Sequence, residues 1–387
     1  MLKKIAIVEL YGHYEVLYSF CNVLRLFEVS VFTSENGWGD APTPIKSIIG
    51  KRVYLKTPLE FVPDFIEQHK SILNANDLII FSTILGDYGF FAKQKWTAKT
   101  ILVVHNGNYW LNYRSSIRIK SIPDILRWLK SEWLREWPNR KKIMNSVDFI
   151  SFPNQLIQGH FIEQGLISRE KTYPPLPFYY LENKVPETEA ENEIIIVVPG
   201  TLSDESRDYG MLLNVFKKVK DIECGNEILN LVLLGLPKKK YGKDIQRKFK
   251  NMENGTFNVT VFSKFITQHI YDDWLKKADF LILPLLREMS YGICCEKGSV
   301  TKISGTINDM LRFGIPAFIP SYYTIAEKNQ CLAMQFVNSE DLAGQITNCI
   351  KNKTYKEAKK KWKDKLSECS TVDLSKRVNA GIFEILY

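Results

Sequence analysis

Short, almost wholly apolar segments recur along this chain, each followed by a stretch with helical spacing, and the series runs through twice. The first half carries "KIAIVEL", "EVSVFTS", "KRVYL", "NDLIIFSTI", "AKTILVV" and "VDFISFP". The second carries "EIIIVVPGT", "ILNLVLLGL", "NVTVFSKF", "DFLILPLL" and "GIPAFIP". Strands that are apolar on both faces belong to parallel sheets covered by helices. Their alternation with helices gives an α/β class, built as two Rossmann-like doubly wound domains. At 387 residues the chain is too long for one ordinary core, which agrees with two domains. The expected division is 1–175, a proline- and acid-rich linker at 176–193, 194–370, and a C-terminal helix at 371–387 that is free to return to the first domain.

Other readings narrow the classes. No window holds about 18 uninterrupted apolar residues, so no spanning helix is expected. "MLKKIAIVEL" reads as a first strand, not as a signal peptide. Seven scattered cysteines, with no metal spacing to the five histidines, suit a reducing cytoplasm. The formal net charge of +9 favours anionic partners: nucleotides, lipid headgroups or nucleic acid. No RNA-binding signature or basic tail supports the last, and no nucleic-acid partner is expected.

Ligands of doubly wound sheets bind beyond the carboxyl ends of the strands, and with two sheets in series the expected site is the cleft where those ends face each other. That rule promotes Gly12 and His13 after the first strand and His105 after "TILVV". In the second half it promotes Gly200, Thr201 and Arg207, and the turn Lys302, Ser304, Gly305, Thr306 at a helix start. Free N–H groups at a helix start attract anions, and lysine and hydroxyls would add to that. An isolated Ser-Gly-Thr turn also reads as an ordinary cap, and Arg207 as a surface arginine paired with Asp204 or Asp208. Neither half has a GxGxxG turn, a GxxxxGK[ST] loop or a GxSxG elbow, which weakens dehydrogenase, P-loop and hydrolase readings.

Taken together, "VVPGTLSDESRDYG" and "LILPLLRE…KISGTINDMLRFGIPAFIP" resemble the GT-B glycosyltransferases, in particular the family 4 sugar-nucleotide transferases. The resemblance implies two domains facing across a cleft, with the donor nucleotide on the second. Carried over by position, Arg207 stands where that family keeps a lysine and Thr201 where it keeps an arginine. Glu288, four residues after Pro284, matches the first family carboxylate, and Asp309, five before Gly314, matches the second. The gap between them is longer than in the family, through an apparent insertion "MSYGICCEKGSVT" that brings Glu296 into competition with Glu288. His105 takes the place of the histidine that contacts the donor sugar, and Gly12 that of a glycine near donor or acceptor. His13 becomes a candidate base if the reaction inverts. Glu9 and Asp87 are weaker acid/base candidates, and His69, His160 and His269 read as structural.

The implied activity is transfer of a sugar from a UDP- or GDP-type donor to a saccharide or lipid-linked acceptor, in surface polysaccharide or glycolipid synthesis. No DxD pair sits at a strand end, and fixed cations can stabilise the leaving diphosphate, so metal-independent transfer without a cofactor is expected. A sugar-nucleotide epimerase on the same architecture and a noncatalytic nucleotide- or nucleic-acid-binding protein are the alternatives.

Residues 117–143 hold eight Lys/Arg, three Asp/Glu and three Trp. At helical spacing Ile122, Leu126, Leu129, Trp133 and Trp137 share one stripe, with Trp128 well off it. Two readings stand: a helix packed on the sheet by that stripe, or a contact with an anionic membrane surface, which would make the protein peripheral on the inner face.

Overall fold

The computed structural model describes residues 2–119, 121–176, 178, 193–222, 227–264, 266–366 and 371–386. Of the linker expected at 176–193, only Leu176, Phe178 and Glu193 lie within the described residues.

The first six strands are β1 (Lys4–Glu9), β2 (Glu28–Ser34), β3 (Val53–Lys56), β4 (Leu78–Thr83), β5 (Lys99–Val103) and β6 (Phe149–Ser151). They form one parallel sheet in the order β3-β2-β1-β4-β5-β6. Alternation along each strand serves both faces. Ile5, Ile7, Val29, Val31 and Ile80 enter one core with Leu17 and Phe20 of the helix Tyr14–Val23. Ala6, Val8, Phe32, Ile79 and Phe81 enter the other. Each such buried side chain contributes about 1.5–3 kcal/mol.

The remaining strands are β7 (Glu193–Pro199), β8 (Ile228–Leu234), β9 (Phe257–Val261), β10 (Phe280–Ile282), β11 (Glu288–Tyr291), β12 (Cys294–Lys297), β13 (Ala317–Pro320) and β14 (Ala333–Phe336). Six of them form a second parallel sheet, β14-β13-β10-β7-β8-β9. Counted within its own half, that order is the same as in the first sheet. In each sheet the chain reverses direction across the pair formed by the first and fourth strands, β1/β4 and β7/β10. The edge strand β14, in "CLAMQF", escaped the sequence reading because its residues are mixed in polarity.

Compact units do not follow chain order. One comprises Met1–Tyr180, Ser290–Ile303 and Thr371–Tyr387; the other Leu181–Met289 and Ser304–Ser370. The segment read from sequence as an insertion in the second half carries the β11–β12 pair, joined through Gly292, and from Ser290 on it groups with the first unit. The reason is a buried carboxylate: Glu296 accepts N–H bonds from Asn108 (3.2 Å) and Tyr109 (2.9 Å), while Gly107 N–H donates to Thr301 O (2.9 Å). The helix Thr371–Leu386 joins the same unit, with Ser375 Oγ donating to Val23 O at 2.7 Å. The stripe read from Ile122 to Trp137 as one helix runs over two, Ile122–Trp133 and Glu136–Ser146, broken at Arg135 with φ of +53°.

Candidate functional site

At the end of β1 the first unit places Glu9, fully buried. Its Oε1 accepts the backbone N–H groups of Tyr11 (2.9 Å), Gly12 (3.1 Å) and His13 (3.4 Å). The loop can fold back over the carboxylate because Gly12 takes φ of +107°, which a side chain would resist. Gly12 therefore has its amide bound to Glu9 in this structure. Glu9, read from sequence as a weak acid/base candidate, is the residue that shapes the loop. Its Oε2 is buried without a partner among the described residues.

The loop delivers His13 onto His105, with ring centroids 4.3 Å apart and planes 18° from parallel. His105 Nε2 lies 2.7 Å from the carbonyl oxygen of Ser82 and 3.2 Å from Thr83 Oγ1. A carbonyl only accepts, so Nε2 carries the proton and Nδ1 is the ring's acceptor. The two rings are driven apart electrically. Burial lowers the pKa of His105 well below its usual value, helped by the charge of His13 and of Lys302 and opposed by the Ser82 hydrogen bond. At His13 burial also works against the charge, but Glu15, 3.7 Å from Nδ1, and Glu9 outweigh it, and the net shift is upward. The shifts run in opposite directions within one stacked pair, favouring the protonated form at His13 and the neutral form at His105.

Lys302 belongs to this unit too. Its backbone bridges that of Asn106, and its ammonium lies 5.3 Å from the centre of the Tyr291 ring. Burial lowers its pKa and Glu296 pulls the other way. Glu296 itself also accepts from Thr301 Oγ1 at 2.6 Å. Burial raises its pKa against the pull of its three donors and Lys302. Its oxygens are thus occupied in holding the segment together, whereas Glu288 is solvent-exposed at the start of β11. The 302–306 turn, read from sequence as one anion site, is divided: Lys302 lies in the first unit and Ser304, Gly305 and Thr306 in the second.

In the second unit β7 runs into Gly200, with φ of +93°. Arg207 folds back over it so closely that a Cβ there would meet Arg207 Nη2 at 2.1 Å. Arg207 Nη1 donates to Thr201 O (3.4 Å) and Ser206 Oγ (3.2 Å), and its Nε is buried without a partner among the described residues. Asp208 caps the helix Tyr209–Val219 by accepting Met211 N–H at 2.8 Å, so its carboxylate serves the helix. Two strand-end loops are stitched here: Asp208 N–H donates to Pro284 O (2.8 Å) and Leu286 N–H to Ser206 O (3.1 Å). These are the loops after β7 and β10, the switch point of this sheet.

Asp309 sits one helical turn into Gly305–Phe313, and its Oδ2 accepts from Tyr271 OH at 2.9 Å. Burial, then Asp309, raises the Tyr271 pKa well above normal, and Arg207 opposes them. The Tyr271 phenol is thus bonded to Asp309 and feels the charge of Arg207. Tyr271 carried no sequence signal, being one aromatic on an amphipathic helix. Ser304 precedes the Gly305–Phe313 helix, but its Oγ meets Thr306 Oγ1 at 2.9 Å and makes no cap bond to the helix amides. The space over Gly305 is open. Among the described residues, no His/Cys/Asp/Glu group could hold a metal ion. Asp272 instead pairs with Arg312 at 2.8 Å.

Paired 3-2-1-4-5-6 sheets with polar groups at both switch points can be set against solved structures. The chain superposes on the pneumococcal O-GlcNAc transferase GtfA, solved with UDP and GlcNAc, with a TM-score of 0.61 at 10% identity, covering 100% of this chain and 99% of that one. The fold is GT-B. The lipopolysaccharide outer core galactosyltransferase WaaB matches with a TM-score of 0.55 at 11% identity, over 99% of both chains. A putative UDP-N-acetylglucosamine 2-epimerase from Listeria monocytogenes matches at 0.50 and 12% identity, over 99% of this chain and 96% of that one. No family model and no curated protein sequence matches the chain. At such identities the likeness establishes the GT-B fold, in line with the sequence resemblance.

Proposed function

We propose that this GT-B protein is a glycosyltransferase that takes a sugar from a nucleoside-diphosphate sugar and passes it to a saccharide or lipid-linked acceptor. The observation that carries the reading is the switch point of the second sheet. Arg207 lies over a side-chain-free Gly200 with a buried unpartnered Nε, and a helix start with open space over Gly305 belongs to the same unit. Guanidinium and helix amides both suit a diphosphate. Asp309, with Thr201, is the candidate for ribose and base-side contacts. UDP in the GtfA structure and the epimerase's UDP-sugar name support a uridine donor over GDP.

In the first unit the His105 Nδ1 acceptor suits a sugar hydroxyl. His13, whose pKa is shifted upward, and Lys302 would favour negative charge on a substrate group bound at this unit. The upward shift of the His13 pKa favours a charge-stabilising role over the base role suggested by sequence. Glu288 has no partner in the structure that recommends it for catalysis. The reaction is proposed to need no cofactor or metal, and the product to be a surface polysaccharide or glycolipid made on the cytoplasmic side. A lipid-linked acceptor would bring the enzyme to a membrane face.

The test is a thermal-shift panel with UDP, GDP, ADP, CMP and their sugar conjugates, with magnesium and with chelator. A ligand of the folded state raises the melting temperature. A rise with UDP that survives chelation, and that Arg207→Ala abolishes, supports the reading; no rise with any diphosphate overturns it. The second reading, a sugar-nucleotide epimerase, is favoured by the Listeria match and separates by product: turnover of UDP-GlcNAc without acceptor would establish it.

A further inference from the structure

The helix Ile122–Trp133 is amphipathic but faces the wrong way for a soluble surface helix. Asp124, Trp128 and Ser131, spaced i, i+4, i+7, are turned toward the protein. Ser131 Oγ accepts from Tyr113 OH at 3.1 Å and lies 3.0 Å from Glu136 Oε2. Trp128 packs with Tyr113, Ile293 and Cys294. The aliphatic stripe is outside: Ile122 is 75% exposed, Leu126 63%, Leu129 50% and Ile125 40%. With Ile119 and Leu134 beside the helix, six large aliphatic side chains face solvent within sixteen positions. Scattered exposed leucines are ordinary; a contiguous row that the helix has rotated away from its own core is not. The packed-stripe reading of the sequence is thereby overturned.

The surrounding charge says what covers the row. Arg127, Lys130 and Arg135 are exposed on or beside the helix, and Lys141 and Lys142 on the next one. Two nearby acids among the described side chains are engaged: Asp124 accepts from Ser121 and Arg127, and Glu136 is 3.7 Å from Arg140 and bonded to Ser131. The face that remains combines aliphatic side chains with cations, which matches an anionic bilayer interface, where apolar side chains enter the acyl boundary and Lys/Arg stay at the headgroups. We propose that the helix Ile122–Trp133 is a docking surface for an anionic membrane, laid flat with Ile122, Leu126 and Leu129 inserted. The proposal stands on this helix alone and holds whether or not the protein transfers sugar.

Sedimentation of the full chain with vesicles tests it, using phosphatidylcholine and phosphatidylglycerol at about 3:1 against phosphatidylcholine alone. Preferential binding to the anionic vesicles is expected. The triple variant Ile122→Ser, Leu126→Ser, Leu129→Ser should bind about 100-fold more weakly. Arg127→Gln with Lys130→Gln should bind about tenfold more weakly and with less preference for phosphatidylglycerol. Both variants change exposed side chains, and an unchanged circular dichroism spectrum and melting temperature would show that they fold. No vesicle binding by the parent chain, equal binding by the triple variant, or equal binding to both lipids would each overturn the proposal. So would a dimer in lipid-free solution that the triple variant abolishes, since a second copy would then cover the row.

Discussion

The two sheets share one strand order, yet their switch points are chemically opposite. At the end of β1 three loop amides already bind an anion, the chain's own Glu9. At the end of β7 the loop offers a cation: Arg207 lies over Gly200, and no carboxylate oxygen is bonded to it among the described contacts. Topology thus determines where a ligand can be met, and the single residue at the strand's end determines its charge. A loop whose amides are filled from within presents side chains, here His13 on His105, whereas the other loop presents the Arg207 cation.

The contrast can be broken experimentally, and the largest effect belongs to the self-filled loop. Glu9→Ala leaves three N–H groups without their acceptor and should cost about 3 kcal/mol of stability, read by urea denaturation. If stability holds, the loop is not built on Glu9. Arg207→Ala should weaken UDP binding by about 2 kcal/mol, roughly 30-fold by calorimetry, while leaving unfolding nearly unchanged. Lys302→Ala should weaken UDP binding by about 1 kcal/mol, and an unchanged affinity would remove Lys302 from the nucleotide site. Tyr271→Phe removes one donor to Asp309 and should cost about 1 kcal/mol of either stability or UDP affinity.

The smallest effects are in the titrations of the histidine pair. By imidazole NMR His13 should titrate above about 6.5 and His105 below it, and His13→Gln should raise the His105 value by removing the charge stacked on it. The signs for stability are opposite. The raised pKa of His13 gives stability that is fully present below about pH 6.5 and is lost as the pH rises through its folded value. The lowered pKa of His105 gives stability that is lost as the pH falls below about 6.5 toward its folded value. Replacing His105 with Asn should flatten the acid side of the stability profile; an unaltered profile would show that the ring is not held neutral.

Much of this architecture could be read from residues alone, for a physical reason. Runs such as "EIIIVV" and "TILVV", short and rich in β-branched residues, read as strands buried on both faces, so the sheets and their carboxyl ends follow from local pattern. Gly200 and Arg207 were legible in the same way, as the first turn after such a run. The role of Glu296 was not, because its partners Asn108 and Tyr109 lie 188 and 187 positions away. Periodicity found the stripe on the Ile122–Trp133 helix but not its direction, which depends on whether Trp128 or Leu126 has a surface to meet. Spacing named Asp309 through the family resemblance and said nothing of Tyr271, whose hydroxyl becomes informative only once two helices are side by side.

The passage of residues 290–303 and 371–386 into the first unit also has a consequence for biosynthesis. When a ribosome has released the first 180 residues, the first sheet can be complete, but the carboxylate that anchors Asn108 and Tyr109 has not been made. The helix that covers Val23 follows later still. The first unit can therefore begin to fold before two of its segments, 290–303 and 371–386, have been made.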